Sequence, residues 1–141
     1  MPNSIDRLFV YSSLRSGFQH PAYTYISKYF TLEADAITKG KLYDVGGLIV
    51  GIPTDENYFI KGELYLIKEP SEFSWAIGQL DDYEGVQEDE DNPTPLYIRS
   101  VSTILVGDST EKAWVYWYSQ PILNGNFIEN GDILTYLQQK Q

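Results

Sequence analysis

One segment of this 141-residue chain reads as a long helix, and that limits the folds open to it. Across residues 70–83, Phe73, Ala76, Ile77 and Leu80 fall on one helical face. Pro70 and Ser71 supply start signals and Gly85 a stop. Parallel neighbours in a sheet need crossovers of about a dozen residues or more, usually helical. The other connections are too short for regular crossovers of that kind. The expectation is therefore an α+β fold. Its mixed, largely antiparallel sheet curls into a small barrel with flanking helices, and a doubly wound parallel sheet fits less well.

The remaining pattern fills in that outline. Residues 8–11 form a short apolar run that reads as a buried strand. Tyr23, Ile26 and Phe30 predict a short helix over 21–30, with Pro21 in its first turn. Residues 31–44 predict one or two strands broken near 38–40. Gly46-Gly47 is a turn, 48–52 a strand, 53–57 a loop and 58–67 another strand. An acidic, proline-containing loop spans 86–95. Long strands cover 96–106 and 111–118, with Gly107-Asp108 turning between them. Gly125 and Gly131 punctuate the tail, and Asp132 is placed to cap a last helix through 138. With no repeat and no linker, residues 1–141 read as a single domain.

Composition narrows the chemistry. Hydrophobic residues make up 43% of the chain, which is globular rather than disordered. Twelve tyrosines point to a core with polar edges, or to a pocket, because each phenol needs a partner. No cysteine is present, so thiolate nucleophiles, disulfides and cysteine-based zinc sites are excluded. His20 is the one histidine, and neither a triad nor a histidine zinc spacing surrounds it. A net charge of −10 disfavours nucleic acid and anionic membrane partners. The first residues lack a signal-peptide pattern and no window is apolar enough to span a bilayer, so a cytoplasmic location is expected.

Two places could carry chemistry. The first is the turn after the first strand, Tyr11-Ser12-Ser13-Leu14, whose backbone N–H groups could cradle an anion. Its bland reading is a serine-rich connection. The second is Leu80-Asp81-Asp82-Tyr83-Glu84-Gly85. Three carboxylates there crowd a helix C-terminus, which is already partly negative. Repulsion and the dipole both favour the protonated form, which moves a carboxylate toward general-base duty near neutral pH. The competing reading is that these acids point into water at little cost.

Taken in order, several motifs resemble the γ-glutamylcyclotransferase-like (AIG2-like) family. They are Phe9-Val10-Tyr11-Ser12-Ser13-Leu14-Arg15, Gly40-Lys41-Leu42-Tyr43-Asp44, Lys61-Gly62-Glu63-Leu64-Tyr65 and the 80–85 segment. Tyr97-Ile98-Arg99 and Ala113-Trp114-Val115-Tyr116 resemble the two strands that follow. The resemblance implies a barrel with one cavity and an enzyme that cyclises a γ-glutamyl group onto its own α-amine. A γ-glutamyl amine or peptide would yield 5-oxoproline and a released amine, with no cofactor or metal. Carried over, Glu84 is the acid/base. The backbone of Tyr11, Ser12, Ser13 and Leu14 holds the substrate α-carboxylate, and Tyr97 and Tyr116 line the cavity. Where the family has Gly after the strand Tyr, this chain has Ser12, which lacks the freedom of Gly at positive φ. That departure favours a second reading, a catalytically silent member that binds a small metabolite or a partner protein.

Overall fold

The computed structural model describes residues 5–11, 26–46, 48–84, 97–119, 122, 125–129 and 131–132, with residues 48 and 82–84 described through their backbone. Five strands close the barrel in the order β1 (Arg7–Val10), β5 (Phe59–Ile67), β2 (Phe30–Lys39), β6 (Tyr97–Val106) and β7 (Ser109–Tyr118). Neighbours are antiparallel except β1 and β7, which run parallel and pair at Leu8 and Trp114. A second, three-stranded sheet has the order β4 (Leu48–Ile52), β3 (Lys41–Val45), β8 (Asn126–Ile128). A 3-10 turn at Pro70–Glu72 leads into the helix α1, Phe73–Glu84.

Alternation along the strands sorts side chains into two cores. Phe9, Ala36, Leu64, Ile104, Val115 and Trp117 come from all five barrel strands and fill its interior. The intervening residues Leu8, Val10, Tyr65 and Tyr116 pack outside, against Ala76, Ile77 and Leu80 of α1. The helix is held by its apolar stripe, since burying a Leu or Ile side chain contributes about 1.5–3 kcal/mol. The barrel and the helix face thus match the sequence expectation.

Two details differ from it or extend it. Residues 26–29 are helical, but Phe30 already belongs to β2 and pairs with Ile67. Ile26 and Phe30 bury into the same outer core, so apolar spacing continues across a change of backbone conformation. The strand β8, which extends the β3–β4 hairpin into a second sheet, has no sequence signal. The 86–95 loop and the expected helix beyond Asp132 lie outside the described residues.

Candidate active site

β1 ends at Val10, and Tyr11 turns its ring into the barrel. The ring stacks on Trp117 at 6.0 Å between centroids and 29° between planes. Its phenol donates a hydrogen bond to the backbone carbonyl of Tyr116. That bond ties the end of a four-residue strand to β7 beyond their shared pair at Leu8 and Trp114. On the other side, β1 comes close to β5 at Gly62. A Cβ there would run into the Val10 carbonyl oxygen and the Phe9 ring. Glycine in the Lys61-Gly62-Glu63 motif therefore serves close strand approach. Ser12, Ser13 and Leu14, the rest of the expected anion cradle, lie outside the described residues.

The end of α1 is anchored by a buried polar network. Asp81 is 8% exposed and sits four residues after Ile77, on the buried face. Its Oδ1 accepts from Arg99 Nε at 2.7 Å and its Oδ2 from Arg99 Nη2 at 2.9 Å. The Tyr116 hydroxyl also donates to Oδ1, at 2.8 Å. Arg99 and Tyr116 face each other across the β6–β7 ladder. The guanidinium in turn lies 4.4 Å from the centre of the Trp114 ring, whose Nε1 donates to the Ile5 carbonyl at 3.2 Å. A bidentate guanidinium–carboxylate pair fixes orientation as well as distance.

This corrects one part of the sequence argument. The sequence alone groups Asp81 with Asp82 and Glu84 as three mutually repelling acids, but its charge is compensated by Arg99. Its place on the apolar face after Ile77 is the available signal, because a buried carboxylate needs a cationic or hydrogen-bonding partner. Position 84 is three residues further along, at the end of the helix. The last turn of α1 contains no basic residue.

Among the other expected site residues, Tyr97 opens β6 opposite Tyr118, the rings meeting edge-on at 5.6 Å and 66°. Tyr97 packs half-buried against the outer core that also contains Tyr116. Two charged residues have places that the sequence does not signal. One is Arg99; the other is Glu63, 5% exposed, paired across the strands with Val10 and accepting the Tyr65 hydroxyl at 3.0 Å. Behind Trp117 a cleft of about 400 Å³ opens beside Thr38, Phe59, Ser102 and Leu105. Among the described residues, no group of three His, Cys, Asp or Glu is placed to hold a metal ion, and no helix is long and apolar enough to cross a membrane.

Among the described residues, fold and network define a small α+β barrel with α1 docked on its outer face by an apolar stripe and a part-buried ion pair. The sequence matches the family model described as gamma-glutamyl cyclotransferase, AIG2-like, over residues 8–135, and the chain belongs to that family. The structure is similar to YkqA from Bacillus subtilis, with TM-score 0.68 and 20% identity over 98% of this chain. The chain spans 44% of YkqA, less than half of that protein. It is also similar to ytfP from Escherichia coli, with TM-score 0.60 and 26% identity over 92% of this chain and 97% of that one. PH0828 from Pyrococcus horikoshii has TM-score 0.61 and 18% identity over 97% of this chain and 96% of that one. No curated protein matches the chain.

Proposed function

We propose that the chain is a cyclotransferase that converts the γ-glutamyl group of a γ-glutamyl amine or peptide to 5-oxoproline, with Glu84 as acid/base. The observation that carries this reading is the anchoring of both arms of the candidate site to β7. Asp81 is bound to Arg99 and Tyr116 one turn before Glu84, and Tyr11 is bound to Tyr116 at the mouth of the 11–14 segment. Membership of the gamma-glutamyl cyclotransferase family supports the choice of reaction.

The chemistry asks for few groups. A γ-glutamyl amide carries nucleophile and carbonyl in one molecule, so folding it into a ring supplies much of the rate. The backbone N–H groups of Tyr11, Ser12, Ser13 and Leu14 hold the α-carboxylate, and Tyr97 and Tyr116 border the cavity. Glu84 takes a proton from the α-ammonium, and the freed amine attacks the γ-carbonyl carbon. The carbon–nitrogen bond to the leaving group then breaks. The ammonium begins with three protons and the lactam nitrogen keeps one. The two that are released pass by way of Glu84 to the departing nitrogen, and the carboxylate ends as it began.

The test is release of 5-oxoproline from a panel of γ-glutamyl amines and peptides, with Glu84→Gln beside the wild type. Gln keeps the size of Glu but cannot accept the proton, so turnover should fall by about 10²–10⁴-fold. Asp82→Asn should retain most activity, and thermal melts should show all three proteins folded. A folded Glu84→Gln variant with wild-type turnover would sink the assignment. A wild type inert across the panel would favour the silent, ligand-binding reading that Ser12 suggests.

A further inference from the structure

Tyr116 touches both arms of the site, through different atoms. Its hydroxyl donates to Asp81 Oδ1 at 2.8 Å, on the last turn of α1. Its backbone carbonyl accepts the Tyr11 phenol, where β1 gives way to the 11–14 segment. The residue is 5% exposed, so both bonds lie away from bulk water, where polar contacts are stronger and costlier to lose. Its place on β7 is fixed by the ladder to Arg99, the residue that grips the same Asp81 with two bonds of 2.7 and 2.9 Å. The helix end and the strand end are 70 residues apart in sequence, counting from Tyr11 to Asp81, yet they share this one anchor.

The geometry points to Tyr116 as a positioning residue that couples the last turn of α1, which includes Glu84, to the end of β1, where the proposed carboxylate cradle begins. This rests on the cyclotransferase reading for its catalytic consequence, but the mechanical coupling does not. In cyclisation the acid/base and the cradle must hold one small substrate at both ends. A shift of either arm by about 1 Å can cost about 10²-fold in rate. The phenol of Tyr116 controls the acid/base arm, and the phenol of Tyr11 controls the cradle arm. Their effects on kinetics should therefore separate. Tyr116→Phe loosens the helix end and should lower kcat by about 10-fold or more with little change in KM. Tyr11→Phe loosens the cradle and should mainly raise KM.

Two measurements decide the matter. The first is steady-state kinetics of Tyr116→Phe and Tyr11→Phe, well below their melting temperatures, with the γ-glutamyl compound that the wild type turns over best. The second is amide hydrogen exchange, which needs no activity. Tyr11→Phe removes a hydrogen bond to β7 rather than to α1, but through Tyr116 it should speed exchange at the amides of residues 82–84 several-fold. Tyr116→Phe should do the same at those amides and at Tyr11. Unchanged exchange at residues 82–84 in both variants overturns the coupling, even if the wild type is an active cyclotransferase. A simultaneous loss of melting temperature with wild-type kcat and KM in both variants overturns it too, by reducing both bonds to fold maintenance. Coupled exchange in a wild type inert toward every γ-glutamyl compound upholds the coupling and sinks the reaction instead.

Discussion

Replacing Asp81 with Asn tests whether the end of α1 is held by charge or by packing alone. In Asp81→Asn the side chain retains its shape and one acceptor oxygen, enough for Arg99 Nε and the Tyr116 hydroxyl. The new amide NH2 would face Arg99 Nη2, placing donor against donor where Oδ2 now accepts at 2.9 Å. Removing one partner of a buried ion pair costs about 3–5 kcal/mol, chiefly because the other charge stays buried. The side chains here are 21% and 12% exposed for Arg99 and Asp81, so water offsets part of that loss. The low end, about 3 kcal/mol, is the expected destabilisation. At about 2.1 cal/mol/K of unfolding entropy per residue, that is a fall in Tm on the order of 10 °C. The assay is a thermal melt of four proteins: wild type, Asp81→Asn, Arg99→Met, and the double variant. Met lets the apolar stem of Arg99 persist over Trp114 without the charge. In the Arg99→Met background, Asp81→Asn should cost far less, because no guanidinium is left unpaired. Equal losses in both backgrounds, or a single-variant Tm within about 2 °C of wild type, would refute the argument that the ion pair anchors the helix.

Other expectations follow from single contacts. Gly62→Ala places a Cβ against the Val10 carbonyl and the Phe9 ring, so β1 must shift; a urea melt should show a loss of about 2 kcal/mol or more, and an unchanged midpoint would contradict the close approach. Gly131 has φ 67° and its Cβ would collide with the Phe59 carbonyl, while its own carbonyl accepts from Lys61 at 2.8 Å. Gly131→Ala should therefore destabilise by about 1 kcal/mol or more from the left-handed conformation alone, as read from chemical melts. Lys41 holds the Glu56 carboxyl below its ordinary range, through a hydrogen bond and then through charge. A depressed carboxyl stabilises the fold above its unfolded pKa of about 4.3, and that contribution fades as pH falls through the lower folded value. Glu56→Gln should flatten the acid limb of a Tm–pH profile slightly and leave pH 7 nearly unchanged, since exposed pairs contribute little; a large drop at pH 7 would contradict this.

The elements easiest to read in the sequence are those whose information is local. The β3–β4 and β6–β7 hairpins announce themselves through glycine turns at 46–47 and 107 between β-rich runs, and the stripe Phe73, Ala76, Ile77, Leu80 announces α1. β8 is three residues, Asn126–Ile128, too short for a period to show, and it exists because β3 offers an edge. The candidate site is half legible. The order of the motifs nominates Glu84, Tyr11 and Tyr116. The partners that organise them are separated by 18 residues for Asp81 and Arg99 and by 105 for Tyr11 and Tyr116. No local pattern carries such pairings. A buried carboxylate on an apolar helix face states only that a partner is needed, and the barrel decides which one.

The parallel contact between β1 and β7 has a consequence for biosynthesis. Once Ile67 has left the ribosome, β1, β5 and β2 can form a three-stranded sheet, since all three precede that point. The outer edges of β1 and β2 must then wait for β7 and β6, which begin at Ser109 and Tyr97. At about 5–20 residues per second, that interval lasts on the order of seconds. During it, the nascent sheet presents Leu8 and Val10 on a bare edge, the kind of surface that recruits foreign strands. The β6–β7 hairpin, joined by a two-residue turn, forms fast by comparison. Translation speed through residues 68–118, rather than the folding rate of any one hairpin, sets how long each newborn chain stays vulnerable to aggregation.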